Sequence, residues 1–158
     1  MTFRPGAAAA LLSTLAFAVP SIARAQIPED AIPLQTLTSE MNRFRVEYAE
    51  HYNNKDVAAL VAMYAPDAIV TLEDGATHVG REAIKAALTK MAPTFPHLVI
   101  TSDTLVAFGH TAIDVGTGTM HPQGGGELTS RYLVVLRRPM RDWQILRVSL
   151  VSVKPATK

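Results

Sequence analysis

The chain has 158 residues, 15 basic against 14 acidic, a net charge of +1 and no cysteine. That balance gives no reason to expect nucleic acid or an anionic membrane surface as a partner, and it excludes disulfides and thiol chemistry. The length suits one core, since a domain of this size buries about two-thirds of its unfolded surface.

Met1 to Ala25 reads as an export signal. Arg4 precedes an uncharged run from Ala7 to Val19, and Ala23-Arg24-Ala25 supplies an A-x-A cleavage site. The run is too short for a bilayer, which takes about 20 residues. Cleavage would remove Arg4 and Arg24, turn the net charge from +1 to −1, and leave a periplasmic or secreted protein with no membrane contact. Residues 26–37 carry Pro28 and Pro33 without periodicity and read as a linker or arm. A domain is expected over residues 38–154, followed by a tail at 155–158.

Within the domain, Met41, Phe44, Tyr48 and Tyr52 form a helical stripe from Thr38, with Thr38 or Ser39 as cap. Asn53-Asn54-Lys55 breaks it, and Asp56 can cap a second helix whose buried face holds Val57, Leu60, Val61 and Tyr64. Pro66 should stop that helix. Ala68 to Leu72 reads as a strand, Asp74-Gly75 as a turn, and Arg81 to Met91 as a third helix. Four long strands follow at His97–Phe108, Thr111–His121, Glu127–Arg138 and Trp143–Val153. Helices first and antiparallel strands after indicate an α+β layer.

On the last two strands both faces are apolar. Leu128, Tyr132, Val134 and Leu136 share one face and Leu133 and Val135 the other; Trp143, Ile145, Arg147 and Val151 oppose Leu146, Val148 and Leu150. Helices can cover one face, and a homodimer is the simplest cover for the second.

The stretches "YNNKDVAALVAMYAPDAIV", "DGATHVGREAIKAAL" and "GELTSRYLVVLRRPMRDWQILRV" together resemble the NTF2-like superfamily, in its SnoaL-like (DUF4440) branch. Asp56, Tyr64, Asp67-Ala68, Gly80, Arg81, Ile84, Trp143 and Ile145 carry the likeness. The resemblance implies a cone-shaped, mainly antiparallel curved sheet on three N-terminal helices, usually dimeric, with a pocket at the open end. Relatives include isomerases, cyclases, hydrolases and binding modules, so the fold leaves function open.

Ketosteroid isomerases of this superfamily use a carboxylate base, a tyrosine and a protonated aspartic acid. The resemblance places Tyr48 at the tyrosine, Tyr64 at a supporting tyrosine and Leu72 at the base. The second acid falls near Ser130 to Tyr132, where no carboxylate stands. Glu73 is one residue from Leu72, and a one-residue shift on a strand changes the face. Asp74 has the right parity but sits in a turn. The catalytic candidates are therefore Tyr48 with Asp74 or His78. Tyr64, Leu72, Tyr132, Arg131 and Arg147 are candidate ligand contacts, because an arginine on an apolar face needs an ion partner or a ligand anion.

The five histidines make no metal-binding spacing, so no metal is expected. No cofactor motif is present, and "GGG" at 124–126 has no helix after it. The leading expectation is an apolar pocket for a small apolar organic ligand. An isomerase, cyclase or hydrolase using Tyr48 is the alternative.

Overall fold

The computed structural model describes residues 32–152. The signal at 1–25, the first half of the arm and the tail lie outside the described residues.

Helix α1 spans Leu34–Asn53, four residues earlier than the stripe from Thr38 suggested. Pro33 supplies a preset φ of −55° at the entry, and its carbonyl accepts from Leu37 N at 3.0 Å. Leu37 extends the apolar stripe back one turn and is fully buried with Met41. Thr38 does not cap; its hydroxyl donates to Leu34 O. The end of the arm is therefore helical.

Asn54 and Lys55, the latter at φ 61°, turn the chain. Asp56 then caps α2, Val57–Ala62, by accepting from Ala59 N at 3.0 Å. Helix α2 ends before Tyr64, so Pro66 lies inside strand β1, Tyr64–Thr71, and is not what stops the helix. The hairpin at Asp74-Gly75 joins β1 to a short strand not foreseen from sequence, β2, Thr77–Val79. Asp74 Oδ1 accepts from Ala76 N at 2.9 Å across that turn. Helix α3 is Gly80–Met91. The remaining strands are β3 His97–Phe108, β4 Thr111–His121, β5 Leu128–Arg137 and β6 Gln144–Ser152.

The six strands form one curved mixed sheet in the order β2-β1-β6-β5-β4-β3. Only β1 and β6 run parallel; every other pair is antiparallel. This is the expected α+β architecture with its helices at the N-terminal side. Among the described residues no helix is long and apolar enough to cross a membrane.

Register shifts interrupt the β1–β6, β3–β4 and β5–β6 ladders, and the last of these changes an expected face. Val135 pairs with Arg147, while Leu136 pairs with Ile145, so Leu146 is the extra residue. Ile145 thus faces inward with Val148 and Leu150, and Arg147 faces outward with Val151. The expectation that Arg147 and Ile145 share a face is corrected by that one residue.

The core holds Leu37, Met41, Tyr52, Leu60, Ile84 and Leu136, each at most 2% exposed. Burying a side chain of this class stabilises by roughly 1.5–3 kcal/mol. Asn53 locks α1 to the sheet's outer edge strand: its amide donates to Leu98 O at 3.2 Å and accepts from Leu98 N at 2.7 Å.

Candidate functional site

Between the helices and the inner sheet face lies a cavity of about 500 Å³. Its wall is mostly aliphatic and aromatic, from Met41 and Phe44 on α1 to Leu136 and Leu150 on the sheet. That mixture of apolar wall and few polar groups is usual for small-molecule sites. Tyr48, Tyr64, Leu72, Asp74, His78 and Tyr132 all line it. Arg131 and Arg147 do not. Arg131 stands exposed on the outer face, paired with Asp103 and Thr117. Arg147 is exposed on the same face, put there by the bulge at Leu146.

Two tyrosines make the first polar station. Tyr48 projects from α1 and Tyr64 from the start of β1, and their hydroxyls lie 2.7 Å apart. Their rings meet edge-on, 6.2 Å between centroids. Arg81 fixes the second one by donating twice to Tyr64 O, at 2.8 and 2.6 Å. Gly80, at φ 79°, makes the turn that brings Arg81 there. Burial pushes both phenols up from the usual tyrosine range, so both are neutral at pH 7. Two hydroxyls carry two protons. One lies between the oxygens, and the other has no partner among the described residues. The pair therefore presents one spare O–H donor to the cavity. Tyr52, buried beneath on the same helix face, is pushed up to about 12 by burial and by Tyr48.

The second station was not read from the sequence. Asp114, on β4, is 4% exposed and lines the cavity. Its Oδ2 accepts from Arg45 Nη1 at 2.7 Å and from Tyr132 Oη at 3.3 Å, and its Oδ1 accepts from Ser102 Oγ. Burial and the Asp114 charge push the Tyr132 phenol up. Gly116 lets this happen. A Cβ there would fall 2.5 Å from Tyr132 Oη and 2.1 Å from Thr101 O.

A third polar group lies at the β1–β2 turn. Ser130, buried on β5 in the cavity wall, donates to Glu73 Oε1. The face argument against Glu73 does not hold, because residue 73 follows the end of β1 and is free of its alternation. Burial, then the neighbouring Asp74 charge, raises the Glu73 carboxyl. Asp74 itself is tied to its own turn through Ala76 N. Among the described residues no group of three or more His, Asp or Glu is placed to hold a metal ion.

A family model described as SnoaL-like domain matches residues 46–148. No curated protein matches in a sequence comparison. Several solved structures share the fold. A ketosteroid isomerase-like protein from Erwinia carotovora atroseptica superposes with a TM-score of 0.64 at 17% identity, covering 74% of this chain and 96% of that one. An NTF-2 like protein of unknown function from Shewanella oneidensis gives 0.66 at 16% identity, covering 73% and 99%. A candidate scytalone dehydratase from Novosphingobium aromaticivorans gives 0.63 at 16% identity, covering 76% and 86%. At these identities the likeness speaks for the fold alone.

Proposed function

We propose, from the premise that the chain belongs to the SnoaL-like domain family, that its cavity binds a small, largely apolar organic molecule by one acceptor oxygen. The observation that carries this reading is the Tyr48–Tyr64 pair, 2.7 Å apart with one spare donor in an apolar wall. A carbonyl or ether oxygen fits that donor, and the aliphatic lining takes the rest of the molecule.

The test uses two fluorescent-scale probes of one shape, naphthalene and 2-acetylnaphthalene. The acetyl compound should bind more tightly. In the double variant Tyr48→Phe/Tyr64→Phe that preference should fall by about 0.5–1.5 kcal/mol, the net worth of one hydrogen bond. Both tyrosines must change, since either hydroxyl can donate when the other is lost. An unchanged preference in the double variant overturns the reading.

One observation favours a second, catalytic reading of the isomerase or dehydratase type. Asp74 and His78 line the same cavity as Tyr48, and the raised Glu73 carboxyl is linked to its wall through Ser130. A general base must lie within about 3 Å of the proton it takes, and Leu72 offers none at the position the resemblance gives it. Under the binding reading, an unsaturated ketosteroid shows no isomerisation above buffer. Turnover abolished by Asp74→Asn, His78→Gln or Glu73→Gln would establish the catalytic one instead.

Two further elements belong to this reading. The protein is exported and begins at Gln26, a reading supported by the A-x-A site at Ala23 to Ala25; intact mass of periplasmic material decides it. It is a homodimer through the outer sheet face, a reading supported by the exposure of Val99, Phe108, Leu133 and Val151 there. Sedimentation showing only monomer at high micromolar concentration would sink the dimer.

A further inference from the structure

We infer that Asp114 and Tyr132 form a second ligand subsite, one that accepts a hydrogen bond from an O–H or N–H group of the bound molecule. This deepens the binding reading and rests on the same cavity, but on different residues from the tyrosine pair.

A carboxylate offers about four accepting positions. Arg45 and Tyr132 take those on Oδ2, and Ser102 takes one on Oδ1. One position on Oδ1 remains, on a side chain that lines the cavity. The Tyr132 hydroxyl spends its proton on Asp114, with the Ser102 hydroxyl beside its oxygen. The Arg45 guanidinium, 14% exposed in its side chain, pairs with the carboxylate at 2.7 Å beside an apolar space. Arg45, which also lines the cavity, commits one N–H to Asp114 and one to Asn42, so the group this end adds beyond a cation is the carboxylate acceptor. The two stations differ in what they add to the cavity. The tyrosine pair gives a proton, and the Asp114 station receives one.

Both stations answer to one helix. Arg45 and Tyr48 are three residues apart on α1, about 4.5 Å along the axis, so they project from the same helix face. With Tyr64 and Asp114 they line one cavity, so a single bound molecule faces both stations. The favoured ligand carries an acceptor oxygen and a donor group on one apolar frame. A ligand with the acceptor alone leaves the Asp114 position unfilled and gains less.

An ion pair that merely pins α1 to β4 would use the same contacts, so the experiment must separate the two roles. Three single probes serve, naphthalene, 2-acetylnaphthalene and 2-naphthol, together with the set of hydroxy-2-acetylnaphthalenes with the hydroxyl at each free ring position. In the wild-type protein at least one hydroxyl isomer should bind about tenfold more tightly than 2-acetylnaphthalene, the scale of a hydrogen bond to a charged group. In Asp114→Asn that hydroxyl preference should drop severalfold, while 2-acetylnaphthalene binds as before. A purely structural Asp114 would weaken every probe alike. If Asp114→Asn does not fold, the wild-type comparison still decides: no hydroxyl position giving any preference overturns the subsite. The acetyl preference over naphthalene reads the tyrosine pair separately, so failure of one station is distinguishable from failure of the other.

Discussion

Gly116 and Gly118 stand two residues apart on β4, on the same inner face, and the structure gives them opposite tolerances. Neither has a positive φ, so alanine meets no backbone strain at either place and the difference is steric. At Gly116 a Cβ would lie 2.1 Å from Thr101 O, a backbone atom of the neighbouring strand, and 2.6 Å from the Tyr132 ring. The bulge on β3 between Ser102 and Thr104 sets that strand's position there, so the carbonyl cannot yield without moving the ladder. Overpacking costs about 1–3 kcal/mol, and displacing Tyr132 from the Asp114 charge adds about 1.5–3 kcal/mol. Gly116→Ala should therefore destabilise by about 3–5 kcal/mol, lowering Tm by roughly 10–20 °C for a domain of this size. At Gly118 the nearest atom is Leu98 Cδ1 at 3.8 Å, an ordinary contact. Gly118→Ala should be neutral or stabilise by about 0.4–1 kcal/mol through the unfolded chain. Urea unfolding of the two variants beside wild type gives the answer. Equal stability of the two variants would refute the account of how Tyr132 reaches Asp114.

Asn53→Ala should cost about 1–3 kcal/mol, because it strips both partners from the part-buried Leu98 backbone; faster amide exchange at Leu98 is the local check, and unchanged exchange would count against it. Glu73 gives a pH signature. Its carboxyl is raised in the folded protein, so the folded state holds the proton more tightly than the unfolded one. That contribution is fully present below the unfolded value near 4.5 and is lost as pH rises through the folded value. The stability of Glu73→Gln relative to wild type should therefore rise with pH across that window and then level off. A flat difference from acid to neutral pH would contradict the partial burial of Glu73 beside the Asp74 charge.

The sequence by itself determined most of the frame. Turn residues at Gly109-His110, the "GGG" loop and the Arg138 to Asp142 stretch bound the four long strands to within a residue or so, because glycine and proline punctuate the backbone locally. The period-two pattern grouped Tyr132, Val134 and Leu136 on one face of β5, since strand parity needs no distant information, but which of the two apolar faces would line the cavity was not legible in it. The helical stripe put Tyr48 on the inward face of α1 by the same logic, and the resemblance gave it a place in the pocket.

Only the tertiary structure decided the rest. One extra residue at Leu146 reversed the face of Arg147, and nothing local distinguishes a bulge there from a regular strand. Glu73 came to Ser130 because the chain had left β1 before it, a boundary of one residue that parity reasoning could not locate. Pro33 admitted a helix that its neighbours in the arm gave no sign of. Asp114 was overlooked for the plainest reason. In "AIDVGTGT" it is a single acid on a strand, and its partners Arg45, Ser102 and Tyr132 lie 69, 12 and 18 residues away. A buried charge is tolerable only when such partners converge on it, and convergence across β3, β4, β5 and α1 is a property of the folded sheet, not of any stretch of chain.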